Sequence, residues 1–336
     1  MGIALSQKRR QIFFLTRYQD STVVEAEKMK ITKAAIKAIE DIAKETLGWP
    51  SNRKWDSADK DERFRSLFGA PSVVIAALWE LIRSNVNEDV HEKHLLWGLI
   101  FLKVYAPNEE VHCAIVGFPT RKEFRQKAWH MVEIIADLKD GLIRLENRFI
   151  NAPNDKNGIP FMTLDCTDCK INEPFPFNKK WLSVKFRGPG MKYEVAIAIY
   201  SNNICWSNGP FYGTRNESRI FKEGLGLEIP DDEPVEVDAG PGGDPRLMKP
   251  LAGASWHARK QKSSHRGRQE TVFSRMKQFN VLDTHFHHTC TDEGEYMLKH
   301  QKCFDAVLVI TQLKLMIGGD KFLDAGKMDE VKYVMT

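Results

Sequence analysis

The sequence predicts a mixed α/β protein in which an all-α region precedes a domain built on a sheet. Three observations carry this. Apolar residues recur at helical spacing up to about residue 150, three β-like segments follow one another between 159 and 211, and helical periodicity returns from about 266. A chain of 336 residues is long enough for two cores. Its 42% hydrophobic and 28% charged residues are ordinary for a globular protein. No run of about 18 apolar residues is present, so no membrane span is expected. The opening MGIALSQKRRQIFF lacks the continuous apolar stretch of a secretory signal. Six cysteines are too sparse for a disulfide scaffold, so reduced thiols inside the cell are expected.

Residues 1–60 read as helical, with Val23, Ala26, Met29, Ile36, Ile39 and Ile42 near one stripe and a break at Gly48, Pro50, Ser51 and Asn52. Residues 72–82 repeat the pattern, and HLLWGLIFLKVY at 94–105 is apolar nearly all round, as a central buried helix would be. EEVHCAIVGF then leads into PTRKEFRQKAWHMVEIIADL, where Thr120 and Glu123 mark a helix start. In that helix Phe124, Ala128, Met131, Ile135 and Leu138 share a stripe and leave Arg121, Lys122, Arg125 and Lys127 exposed. Helix, tight turn, basic helix is the pattern of a helix-turn-helix, so residues 61–150 are a candidate DNA-binding region.

FINAPNDKNGIP marks a linker near 150. Beyond it IPFMTLDCT, MKYEVAIAIY and ICWSNGPF, separated by turn residues, read as a meander. A helix at NESRIFKEGL, a short strand at PVEVDAG, a helix in GRQETVFSRMKQF and a last long helix to Ile317 complete a domain over 151–320. Residues 1–60 and the tail 321–336 stand apart, and there is no internal repeat.

Charge is uneven. Residues 257–278 carry seven Lys and Arg against Glu270 alone, a net +6, while 228–244 carry seven acids and no Lys or Arg, −7. Such a juxtaposition suits a site that holds cations beside a polyanion, and solvated loops would look the same. Within TLDCTDCKI an unbroken strand places Asp165 with Thr163 and Thr167 on one face and Asp168 with Leu164 and Cys166 on the other. One ion cannot take both acids from such a strand. Cys166 and Cys169 with His285, His287, His288 and Cys290 leave a zinc site open, although the two cysteines also alternate faces. Asp238 ends a strand at a Gly-rich loop, and Glu270 lies on a helix near Val272, Met276 and Phe279. Each acid has a plainer reading: Asp165 capping a bend, Asp238 forming a turn, Glu270 pairing with Arg266 or Arg268.

The ordered blocks LDCTDCKINEPFPF, KWLSVKFRGPGMKYEVAIAIY, ICWSNGPFYGTRNESRIFKEGL, VEVDAGPGGDPR and RQETVFSRMKQFNVLDTHFHH resemble those of DDE-superfamily transposase nucleases of the Harbinger-like type, over most of residues 65–320. The resemblance implies an RNase H-like fold with Asp165, Asp238 and Glu270 as catalytic, metal-binding acids. It implies two Mg2+ (or Mn2+) ions and cleavage, or joining, of DNA phosphodiester bonds. Two such ions activate water, stabilise the leaving oxygen and neutralise phosphate charge. The charge in TLDCTDCKI is then tolerated because Asp165 meets a cation, with Asp168 left as a supporting or surface acid. Arg259, Lys260, Lys262, Arg266 and Arg268 would hold the DNA backbone, as would the basic helix at 121–127. Transposon ends and target DNA are the implied partners, with room for a DNA-binding partner protein and a homo-oligomer. The basic runs at 8–10 and 258–268 fit nuclear import. The chain departs from the family at Pro241, where an aromatic is usual, and at Glu217, where Asp is usual. Pro241 motivates the alternative of a catalytically inactive, host-adopted DNA-binding protein.

Overall fold

The computed structural model describes residues 31–50, 56–154, 158–176, 178–238, 243–248, 256–288, 292–320 and 322, with side chains at 57 and 256–263 outside the description. Pro241, Cys290, the run at 8–10 and most of 321–336 therefore lie outside the described residues.

The first half is helical: α1 (Lys33–Leu47), α2 (Ser57–Phe68), α3 (Ser72–Ile82), α4 (Glu92–Val104), α5 (Glu109–Ile115), α6 (Arg121–Asp137) and the single turn α7 (Lys139–Leu142). The boundaries have local causes. Thr32 accepts the Ala35 amide at 3.1 Å to open α1, and Gly48, at φ 61°, closes it in the left-handed region that a side chain disfavours. Thr120 caps α6 through the Glu123 amide at 3.2 Å, as the sequence predicts. The stripe Phe124, Ala128, Met131 and Ile135 is buried. It packs against α4, whose residues from His94 to Leu102 are all buried. At the crossing a Cβ on Gly98 would stand 2.8 Å from the Met131 Cβ, so only glycine lets the two helices approach this closely.

The second half contributes β1 (Met162–Lys170), the two-residue β2 (Leu182–Ser183), β3 (Gly188–Ala198), β4 (Ile204–Tyr212), α8 (Glu217–Glu223), α9 (Leu225–Glu228), β5 (Val235–Val237), β6 (Leu247–Met248), α10 (Trp256–Lys277), α11 (Asn280–Asp283) and α12 (Glu293–Ile317). The predicted meander is present as β1, β3 and β4, paired antiparallel. The open sheet is mixed. β5 joins the other edge of β1 in parallel, β6 joins β5 in parallel, and β2 pairs with the start of β3. β6 was not legible in the sequence, and α10 starts some ten residues before the expected helix at 266–279.

Two apolar clusters lie on opposite faces of the sheet. Met162, Leu164 and Ala196 meet Phe221, Leu225, Val235 and Val237 on one. Cys169, Met191, Tyr193, Val195 and Ile197 on the other belong to a cluster that continues through α12 into the helical half as far as Ile39. From Cys303 to Met316 every residue of α12 is buried, because the helix is wedged between sheet and helices. Among the described residues no single helix is long and apolar enough to cross a membrane.

Candidate active site

β1 is the strand at which the sheet reverses: antiparallel neighbours lie on one side, parallel neighbours on the other. In open α/β sheets such a switch point opens a crevice beyond the carboxyl ends of the parallel strands. Here β5 stops at Val237, paired with Leu164, while β1 runs on to Lys170. The next residues in that register are Asp165 and Asp238, side by side. Thr163 pairs with Glu236, so all four side chains belong to one face by the two-residue alternation of strands. Over this face lies α10. Its Gln269 amide donates to the carbonyls of Thr163 at 3.3 Å and Val195 at 3.1 Å, and His265 Nδ1 meets Glu236 Oε2 at 2.8 Å. These contacts set the rotation of α10 and bring Glu270, the next residue, to the crevice.

Asp165, Asp238 and Glu270 therefore line one cavity of about 520 Å³, together with Glu194, Glu217, Glu236 and the basic groups of Lys185, Arg266 and Lys277. Asp165 Oδ1 accepts its neighbour's amide, Cys166 N–H, at 2.7 Å. Burial raises the Asp165 pKa, and the charges of Glu217 and Asp238 push the same way against Lys185 and that amide. Arg266 stands between the other two acids, with Nε 2.9 Å from Glu270 Oε1 and Nη1 3.4 Å from Asp238 Oδ2. Its hydrogen bond to Glu270 and the charges of Asp238, Glu270 and Asp165 all raise its pKa, so the three carboxylates act jointly on one cation. Hard oxygen donors in a field that favours positive charge fit magnesium or manganese. The side chains are gathered but not closed: among the described residues no three His, Cys, Asp or Glu stand near enough together to hold an ion.

Other expectations fare differently. Asp168 is neither at the surface nor beside the cavity. It is buried on the opposite face and accepts the Ser183 hydroxyl, tying β2 to β1. Cys166 and Cys169 are buried free thiols on alternate faces of the unbroken strand. The His287 ring lies tilted against Tyr105, centroids 4.2 Å apart, and His288 meets Trp129 edge to face at 4.8 Å, so these two histidines serve aromatic packing. Arg268 corrects the expected DNA contact: it is buried, and Nη1 donates to the Ile199 carbonyl at 2.5 Å, because the turn that points Arg266 at the cavity points Arg268 into the fold. The side chains of Arg259, Lys260 and Lys262 lie outside the described residues. On α6, Arg121 pairs with Glu110 at 3.6 Å, Arg125 with Glu109 at 2.6 Å and Lys127 with Asp89 at 2.5 Å, while Lys122 is exposed. The helix-turn-helix candidate thus presents bases already faced by acids.

Sequence reasoning missed Lys185, Lys277 and Glu194 as cavity residues. Only Glu194 carried a local signal, an acid within the apolar alternation of MKYEVAIAIY. Burial pushes its carboxyl up to about 7, against the Trp206 indole, which donates to it at 3.0 Å. The folded state then holds a proton that the unfolded chain releases near the ordinary glutamate value of 4.5, so this contribution to stability is full below 4.5 and lost as pH rises through 7. Glu194→Gln, which can keep the Trp206 bond, is expected to flatten that fall and to be about 2–3 kcal/mol more stable than the parent at pH 8. Urea midpoints between pH 5 and 8 test it; parallel curves for the two proteins would refute the titration. A second expectation concerns Lys185, the largest influence lowering the Asp165 pKa. Lys185→Met should drive that pKa higher still, read from the Asp165 carboxyl carbon shift against pH, and an unchanged or lower value would separate the two groups.

Comparison with protein-family models, curated proteins and solved structures yields no match for this chain.

Proposed function

We propose that the chain is a metal-dependent DNA nuclease of the DDE transposase type, with Asp165, Asp238 and Glu270 as its metal-binding acids. The observation that carries this reading is the meeting, in one crevice at the switch point, of three acids from β1, the end of β5 and α10. The mixed sheet, with β1 central, is compatible with an RNase H-like fold. Two Mg2+ or Mn2+ ions held by these acids would activate the attacking water and neutralise charge on the leaving oxygen. The protein's own part is positional. β1 and β5 set two carboxylates side by side, Gln269 anchors the helix that brings the third, and Lys185 and Lys277 on the cavity wall face the backbone of bound DNA. That contact should weaken steeply with salt. DNA as substrate is the reason to place the protein in the nucleus, where transposon ends and target DNA would be its partners.

A second reading is favoured by one observation. Arg266 already bridges Asp238 and Glu270, which suits a catalytically silent DNA-binding protein keeping the same architecture. Incubation of the purified protein with supercoiled plasmid in Mg2+ or Mn2+ separates the two. Metal-dependent nicking supports the nuclease and removes the silent binder; salt-dependent binding without nicking does the reverse.

A further inference from the structure

We propose that Arg266 is the site's internal counter-cation: its guanidinium clamps Asp238 to Glu270 until a divalent ion takes its place, and is then released to a DNA phosphate. The inference rests on the nuclease reading and adds a role for a residue outside the three acids.

Arg266 and Glu270 are one helical turn apart on α10, and Nε lies 2.9 Å from Glu270 Oε1. That contact alone would be an ordinary surface pair. What sets it apart is the second arm, Nη1, at 3.4 Å from Asp238 Oδ2 on a different element. A planar fork reaches two carboxylates at once, and the compact ammonium of lysine does not reproduce this. The clamp is also easily opened. Side-chain exposures of 58% for Arg266, 43% for Asp238 and 64% for Glu270 leave it open to water, where such pairs contribute little. A divalent ion brings twice the charge to the same oxygens. Once displaced, the guanidinium remains tethered beside the cavity, and its donors match a phosphate's oxygens.

The test uses the full-length protein, Arg266→Gln and Arg266→Lys, with Mn2+ alone as the probe and its binding followed by electron paramagnetic resonance. Both variants are expected to bind Mn2+ about two- to fivefold more tightly than the parent, since an exposed pair of this kind is worth at most about a factor of five. In a companion measurement the parent's affinity for a short DNA duplex should rise when Ca2+ replaces EDTA, and that rise should vanish in Arg266→Gln. Equal Mn2+ affinity in parent and Arg266→Gln overturns the clamp and leaves the nuclease reading standing. Arg266→Lys behaving as the parent also overturns it, reducing the residue to one more positive charge. No Mn2+ binding by any of the three proteins sinks the clamp and the nuclease reading together.

Discussion

Asp165→Asn is expected to lower Mg2+-dependent nicking by at least about a thousandfold while leaving the protein folded. Metal-held charge stabilisation is worth several kcal/mol, and each 1.36 kcal/mol is a factor of ten in rate. The stability of this variant makes the test sharp. The Asp165 pKa is raised chiefly by burial, and further by Glu217 and Asp238, so ionisation of this carboxyl weakens the fold. Asparagine removes the charge and can still accept the Cys166 amide now held at 2.7 Å. The variant should therefore be more stable than the parent at pH 8. Loss of activity with a gain in stability marks a group placed for function at a cost to the fold. Asp238→Asn and Glu270→Gln should lose nicking likewise, with little change in stability because both side chains are exposed. Full cleavage by any of the three would remove that residue from the site. A drop in the melting temperature of Asp165→Asn would assign Asp165 a structural role instead.

Arg148→Met is expected to cost about 3–5 kcal/mol, the usual consequence of leaving one charge of a buried pair without its partner. Arg148 and Glu233 are 8% and 7% exposed, and the fork is bidentate, at 2.7 Å from Nε and 2.9 Å from Nη2. Nη1 also donates to the Leu145 carbonyl at 2.8 Å, so the arginine ties the short 3-10 turn Leu145–Phe149 to the segment that enters β5. Replacing both partners with methionine should recover most of the loss, because a buried apolar pair needs no solvation. Urea denaturation of the two single variants and the double variant closes the cycle. A penalty under about 1 kcal/mol for Arg148→Met would show that water reaches the pair. Since Asp238 follows β5 directly, loosening this anchor should also depress nicking.

The same pair shows what the acidic run could not disclose in one dimension. Glu233 meets Arg148, Glu236 meets His265, Asp238 meets Arg266 and Asp244 meets Arg246. Much of the −7 stretch is thus answered by bases, one of them 85 residues away along the chain. Neither a solvated loop nor a bare cation trap describes it. The basic run divides in the same way: Arg266 turns to the cavity, Arg268 into the fold, and Arg275 to the Asp320 carbonyl at 2.6 Å.

Patterns of a few residues were legible because side-chain direction follows local backbone geometry. The cap at Thr120, the stripe of α6, the all-round burial of α4 and the face of β1 that carries Asp165 could be read without coordinates. The pairing of the three-residue β5 with β1, the two-residue β6 and the rotation of α10 could not. A strand so short has no period to read, and a helix largely polar over 257–271 names no buried face there, although Val272, Met276 and Phe279 mark one at its end. Their positions follow from contacts between distant segments: Leu164 against Val237, Gln269 reaching two strands, His265 on Glu236. Residue order alone thus supplied the three acids and the elements that bear them. Their meeting in one crevice, with a guanidinium between two of them, came from long-range packing, because pairing and helix rotation minimise the energy of the whole fold.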